Sequence, residues 1–171
     1  AIGGNDKLRY SMSGGYFNQK GILISSGFER YSARINLDGQ LTPRLKVSMN
    51  LAPTYTSTDN VPSTGHYGDF NIVASALSMP PLIPVYNADG TYGNTNALTN
   101  VGMGAIPNPV QIANEYKSTN AQFRLLSNLF AEYEIINGLK LKVSVGTDFN
   151  YYTTNTFKPS TLSSSASVSP A

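Results

Sequence analysis

Hydrophobic and polar residues alternate along five stretches of the chain. Over positions 7–17, Leu8, Tyr10, Met12, Gly14 and Tyr16 alternate with Lys7, Arg9, Ser11 and Ser13. A period of two puts each set on its own face of a β-strand. In a second stretch Tyr31, Ala33, Ile35, Leu37 and Leu41 oppose Arg30, Ser32, Arg34, Asn36, Asp38 and Gln40, with Gly39 the one gap on the apolar side. In a third, Leu45, Val47, Met49, Leu51 and Tyr55 oppose Lys46, Ser48, Asn50 and Thr54, and Pro53 sits near the end, where a ladder tolerates it. Positions 121–135 set Phe123, Leu125, Leu129, Ala131, Tyr133 and Ile135 against Gln122, Arg124, Asn128, Glu132 and Glu134; Leu126 and Phe130 interrupt the polar side. In the fifth, Leu139, Leu141, Val143, Val145, Phe149 and Tyr151 alternate with Lys140, Lys142, Ser144, Asp148 and Asn150. Each stretch exceeds the usual globular strand of about five to six residues and matches the roughly 9–11 that cross a bilayer with tilt.

The connections alternate as well. A loop around 18–27 is followed by the tight Leu41-Thr42-Pro43-Arg44, then by the very long stretch 56–120, then by the two-residue hairpin signal Asn137-Gly138. Outer-membrane barrels join strands by short periplasmic turns and long outer loops. With the short turns periplasmic, Tyr16, Tyr31, Tyr55, Phe123 and Tyr151 fall near the outer strand ends on the apolar face. Such a girdle keeps ring bodies at the acyl boundary and phenols in water. Tyr133 and Leu45 fall near the opposite rim. The pattern predicts an all-β fold, an antiparallel transmembrane β-barrel segment of about five strands. A soluble antiparallel sheet with one face on a core gives the same alternation with shorter strands, and stands as the alternative.

Composition sharpens this picture. Charged residues make up 13% of the 171 positions, about half the usual share for soluble domains, while 40% are hydrophobic. A net charge of +2, spread along the chain, excludes an electrostatic footprint for nucleic acid. With no Cys there is no disulfide framework and no thiolate metal site. No apolar run approaches the roughly 20 residues of a membrane helix, so a membrane crossing would use strands. The N-terminus lacks the basic and apolar regions of a signal peptide, as expected of a mature chain or an internal segment.

The long outer loop, 56–120, has local order of its own. Phe70, Val73, Ala74 and Leu77 follow i, i+3, i+4, i+7 behind Asp69 as N-cap, predicting a short helix that Met79-Pro80-Pro81 ends. Asn87-Ala88-Asp89-Gly90 reads as a small hairpin turn between Ile83–Tyr86 and Thr91-Tyr92. A loop of this length caps the barrel mouth or touches substrate through its Tyr, Asn and Asp residues. Asn87, Asp89 and Asn94 carry oxygens for Ca²⁺ but not at EF-hand spacing, and the turn accounts for them without a metal. His66, the single histidine, lies in a Gly- and Ser-rich stretch, and no nucleophile, base and orienting group assemble, so no cofactor and no enzymatic activity are expected. The polar strand face holds Arg9, Arg30, Arg34, Lys46, Arg124, Lys140 and Lys142 with Asp38, Glu132, Glu134 and Asp148. In a barrel that face is the lumen, where charges are hydrated, paired across strands, or met by a domain inside.

The run YSMSGGYFNQKGILISSGFERYSARINLDGQLTPRLKVSMNL at 10–51 resembles the SusC/RagA family of TonB-dependent outer-membrane transporters of the Bacteroidetes. ALSMPPLIPVYNADGTYG at 76–93 and Asn108-Pro109-Val110 are similar to that family's long outer loop, and RLLSNLFAEYEIINGLKLKVSVGTDFN at 124–150 to its next hairpin. The resemblance covers residues 3–158. It implies a barrel of roughly 22 strands with a plug in its lumen. A SusD-like surface lipoprotein would cover the barrel outside, and the TonB complex would drive import of a glycan or peptide substrate. Signal peptide, plug, TonB box and most strands have no counterpart in this sequence, which points to an internal segment: 1–158 as partial barrel set in outer-membrane lipid, and 159–171 as a Ser-rich loop or truncated end. No ligand-binding residue carries over. A passive porin, and a soluble carbohydrate-binding or adhesion module stacking sugars on Tyr55, Tyr67, Tyr86 and Tyr92, are the alternative functions.

Scaling 18.4 kDa for five strands to such a barrel predicts a native polypeptide of at least about 80 kDa. Mass spectrometry of a detergent extract of outer membranes checks this, and a native mass near 18.4 kDa would overturn it.

Overall fold

The structure, a computed structural model, describes residues 1–66, 70–95, 98, 102 and 104–162. Six strands form one antiparallel sheet in chain order: β1 (Ile2–Gly4), β2 (Leu8–Lys20), β3 (Gly27–Thr42), β4 (Leu45–Asn60), β5 (Lys117–Ile136) and β6 (Leu139–Phe157). Helices α1 (Ile72–Ser78) and α2 (Pro109–Glu115) lie between β4 and β5. All five predicted strands form, and β1 is an addition. Three residues are too short to display a period of two. β1 is set against β2 by pairing Ile2 with Ser11 and Gly4 with Arg9, and by a turn in which the Asn5 side-chain oxygen accepts the N–H groups of Lys7 and Leu8.

The strands outrun their alternating stretches. β4, β5 and β6 hold 16, 20 and 19 residues, against the roughly 9–11 of a membrane crossing. The extensions are rich in Thr, Ser, Asn and Asp on both faces, so the hydrophobic period stops while the ladder continues. Polar side chains bond across it: Thr119 donates to Asp59 at 2.8 Å, and the Ser118 and Thr156 hydroxyls meet at 3.4 Å. The long connection is accordingly shorter than expected, 61–116. The tight turns fall at Pro43-Arg44 and at Asn137-Gly138, where Gly138 takes φ +86°, a conformation only glycine enters freely.

The chain divides into two compact units. The first comprises Ala1–Gln19, Phe28–Ser57 and Ala121–Thr153, and the second Lys20–Gly27, Thr58–Asn120 and Thr154–Ala171. Among the described residues every buried hydrophobic side chain belongs to the second unit: Phe70, Ile72, Ile106, Ile112, Ala113 and Leu162. The sheet of the first unit has no core. Its apolar face is open, with Met12, Tyr16, Leu129, Leu141, Val143, Val145 and Phe149 each about half exposed. Leaving these seven side chains half in water would forfeit on the order of 7 kcal/mol, comparable with the whole stability of a domain. Among the described residues nothing covers this face, and the strands satisfy their backbone groups through the ladder, as a membrane-spanning sheet requires.

Substitution separates the two faces. Val143→Arg is expected to destabilise the folded receptor by about 2–4 kcal/mol, while Ser144→Arg on the adjacent, polar face is expected to be nearly neutral. Urea titration of the full-length protein in lipid vesicles measures both; equal effects would refute the assignment of faces.

Candidate functional site

On the polar face of the first unit, side chains form directional pairs. Arg124 engages Asp148 through two hydrogen bonds of 3.0 and 2.7 Å. Gln122 donates to Asn150 at 2.9 Å, Ser144 to Asn128 at 3.4 Å, and Glu132 receives Lys140 at 3.0 Å and Lys142 at 3.3 Å. Between β2 and β3 Asn36 donates to Ser11 at 2.8 Å, and the Ser48 hydroxyl donates to Asp38 across β3 and β4. On the apolar face Tyr16, Tyr31 and Tyr55 form a continuous aromatic row over β2, β3 and β4, with ring centroids 4.9 and 6.4 Å apart. Phe123 and Phe149 pair at 6.3 Å across β5 and β6. Tyr151 is exposed on the same face. Glu29, at the end of β3, accepts from Asn18 at 2.7 Å, the kind of polar contact that suits the edge of such a row.

The second unit is organised by two asparagines. Asn71 caps α1, its side-chain oxygen accepting from Val73 and Ala74 while its amide donates to the Gly65 carbonyl at 2.6 Å. Asn108 caps α2 in the same way, accepting from Val110 and Gln111, with Pro109 at the first helical position. Its amide donates to the carbonyls of Val85 (3.0 Å) and Gly93 (2.9 Å), on the two sides of the hairpin. All four polar valences of this buried side chain are used. Gly93 is required here, because a Cβ would stand 1.9 Å from the Pro84 carbonyl oxygen. Thr95 repeats the logic at smaller scale, accepting from Ile106 N–H and donating to Gly104. Below these links, Phe70, Ile72, Ile112, Ala113 and Leu162 form the core, flanked by Val61 and Tyr116, with the Lys158 ammonium 3.8 Å over the Phe70 ring.

The hairpin forms at the predicted turn. Tyr86 bridges Tyr92, Gly90 takes φ +83°, and the two tyrosine rings lie 5.2 Å apart. Tyr92 Oη accepts from Asn114 at 3.2 Å. Asp89 is held inside the turn, its Oδ1 accepting the Thr91 hydroxyl at 2.6 Å and the Thr91 N–H at 2.9 Å, and these two donors hold its carboxyl below the usual carboxylate range. Among the described residues no group of three or more His, Asp or Glu gathers where a metal could be held.

The helix prediction needs correction in two respects. Asn71, not Asp69, is the N-cap, and Asp69 lies outside the described residues, as does Tyr67. The buried side of α1 is Ile72 and Ser75, whereas Val73 and Leu77 are exposed, Leu77 at 84%. The periodicity was real but named a solvent-facing stripe, because Phe70 enters the core from φ +62° ahead of the helix rather than from its first turn. Helix α2 was not expected. Its signal was present in Asn108-Pro109, an N-cap followed by proline at the first helical position. His66 and Asn94 are both exposed and each engages a neighbour.

The geometry finds its match among transport proteins. TonB-dependent receptor P3 of Formosa agariphila is 34% identical over 169 residues, covering 97% of this chain and 16% of the receptor. Receptor P26 of the same organism is 32% identical over 160 residues, covering 92% of this chain and 15% of the receptor. Among solved structures, the RagAB peptide importer in its closed-closed state aligns with a TM-score of 0.60 and 25% identity, over 91% of this chain and 17% of that one. The chain has the sequence and fold of a TonB-dependent receptor barrel segment, of the SusC/RagA kind. No protein-family profile matches it. It spans only about a sixth of the length of these receptors. In a TonB-dependent receptor barrel the open apolar face of β2–β6 is the lipid face, and the paired polar face lines the lumen. Of the tyrosines named as sugar platforms, Tyr86 and Tyr92 come together in the receptor's hairpin, while Tyr55 belongs to the aromatic row of the sheet.

In the full-length receptor, Asn108→Ala is expected to cost the connection about 2–3 kcal/mol, through loss of the cap and of the Gly93 carbonyl's partner, while the Val85 carbonyl keeps the Gly93 N–H. Limited proteolysis on intact cells should then cut within 83–93 several times faster than in the parent. An unchanged cleavage rate would mean that Asn108 does not tie the hairpin to α2.

Proposed function

We propose that this chain supplies wall, lumen lining and an outer loop to an energy-coupled importer of the outer membrane, with glycans or peptides as cargo. The observation that carries the reading is the coreless, two-faced sheet, apolar and open on one side, polar and cross-linked on the other, in a chain that matches TonB-dependent receptors over 97% of its length. Residues 1–158 are barrel wall and loop, with the connection between β4 and β5 on the cell exterior, since it alternates with the tight turns at Pro43-Arg44 and Asn137-Gly138. The expectation of a Ser-rich loop or truncated end at 159–171 falls largely on 163–171, which lie outside the described residues.

Two partners follow from the reading. The TonB complex provides energy through parts of the receptor outside this segment. A SusD-like surface lipoprotein covers the mouth, and the composition of the connection between β4 and β5 supports that role. In 61–116 only Asp69, Asp89 and Glu115 are charged, and Lys and Arg are absent. Depletion of charge with retention of Tyr, Met and Pro suits a surface that another protein covers. RagAB is a peptide importer, which supports import of an oligomer and leaves both cargo classes in the proposal.

Cells carrying the full-length receptor should deplete oligomers from a mixed digest of glycans and peptides faster than a deletion strain, and should stop when the proton-motive force is collapsed. Depletion that continues undiminished after collapse would identify a passive pore instead.

A further inference from the structure

Charge is distributed unevenly over the polar face. On β5 and β6 it is self-neutralised: Arg124 pairs with Asp148, and Lys140 and Lys142 share Glu132. On β2, β3 and β4 the same face carries Arg9, Arg30, Arg34 and Lys46, with Lys7 just before β2. Asp38 is its single carboxylate, and Asp6 stands in the preceding turn. All five cations are exposed, and none takes part in an ion pair among the described residues. Arg30 instead lies 5.7 Å over the Phe17 ring.

Their order along the barrel is fixed by the pairing of β2 with β3. Gln40 N–H donates to the Lys7 carbonyl, Asn36 meets Ser11, and Ser32 meets Gly15. Lys7, Arg9 and Lys46 therefore lie at the turn end, Arg34 in the middle and Arg30 at the far end. From the row of Gln40 to that of Arg30 the strand rises roughly 34 Å, about the thickness of the bilayer's hydrocarbon core. Arg30 and Arg34 stand roughly 13 Å apart, beyond the roughly 8 Å Debye length at physiological salt, so each is a separate positive site on the face. Small side chains, Ser13, Gly15, Ser32 and Ala52, floor the hollow beside Arg34, and a second hollow opens over Arg9, Ser11, Asn36 and Asp38. The result is a row of positive sites spaced along the polar face of β2–β4, at the turn end, the middle and the far end.

We propose that the cargo is an anionic oligomer and that the lumenal cations of β2–β4 are its track. The inference rests on the importer reading. Fixed positive charge on a low-dielectric wall concentrates anions and lowers their entry barrier, as rings of Arg and Lys do in anion-selective pores. The self-neutralised hairpin of β5 and β6 contributes no such field.

The test uses the full-length receptor in its own outer membrane and a mixed digest of glycans and peptides, with the species depleted by cells sorted by net charge in mass spectrometry. Parent cells should deplete net-negative species. The variant Arg30→Gln/Arg34→Gln/Lys46→Gln should slow that depletion about tenfold and spare neutral species. The control Arg124→Gln/Asp148→Asn should leave the charge preference intact, and surface labelling verifies that each variant reaches the membrane. Depletion of neutral or cationic species by the parent as fast as, or faster than, net-negative ones overturns the proposal. So does a triple variant that slows all charge classes equally, which would assign the cations to holding an acidic protein surface inside the lumen. If parent cells deplete no more than the deletion strain, the importer reading itself fails, and the track with it.

Discussion

Everything in the sheet follows from the period of the extended chain. Neighbouring residues point to opposite sides, so a strand with one continuous apolar side must meet two different media, and in this chain no protein layer is built to supply either. The buried hydrophobic residues all lie elsewhere, in the second unit. A sheet of this kind gains little from its own packing. Its backbone is satisfied by the ladder, its apolar side by lipid and its polar side by water and its own cross-strand bonds, a division that also explains why charge is scarce and Ser, Thr and Asn abundant.

The second unit solves the opposite problem. It must hold a long irregular connection together with almost no charge, and it does so with side-chain amides that satisfy backbone groups. Asn71 and Asn108 each serve a helix N-terminus with their oxygen and a distant carbonyl with their nitrogen. Thr95 acts similarly through its hydroxyl, accepting from Ile106 and donating to Gly104. Neutral bonds of this kind are insensitive to ionic strength, an asset for a surface whose salt environment is set outside the cell. They also leave Leu77 and Leu82 almost fully exposed, because the helix is positioned by its cap rather than by its apolar stripe.

How much was legible follows the same divide. The five long strands, the two tight turns, the face assignments and the small hairpin were readable because each rests on a local rule: alternation, Asn-Gly, or Asn-x-Asp-Gly. The Tyr16–Tyr31–Tyr55 row was readable from parity alone. What escaped depends on contacts distant in sequence. The side of α1 that is buried is decided by α2, some forty residues on, and by Leu162, so the i, i+3, i+4, i+7 stripe of Phe70, Val73, Ala74 and Leu77 could not decide it. The strand extensions at 56–60 and 117–120 escaped because both of their faces are polar, which erases the period while the hydrogen bonding persists. β1 is shorter than any period.

Alternation fixes which side a residue faces but leaves one freedom open: sliding a strand by two residues keeps every apolar side chain in lipid. Lipid is non-directional and does not resist such a slip. Register must therefore come from groups with geometry. On β5 and β6 these are the φ +86° turn at Gly138, the two-point contact of Arg124 with Asp148, the Gln122–Asn150 bond and the shared Glu132. A slip of two residues would part the guanidinium from its carboxylate and place Lys140 and Lys142 out of step with Glu132. The polar face thus specifies the alignment that the apolar face cannot, and its pairs are placed where specification is needed, along the long hairpin formed by the 20 residues of β5 and the 19 of β6.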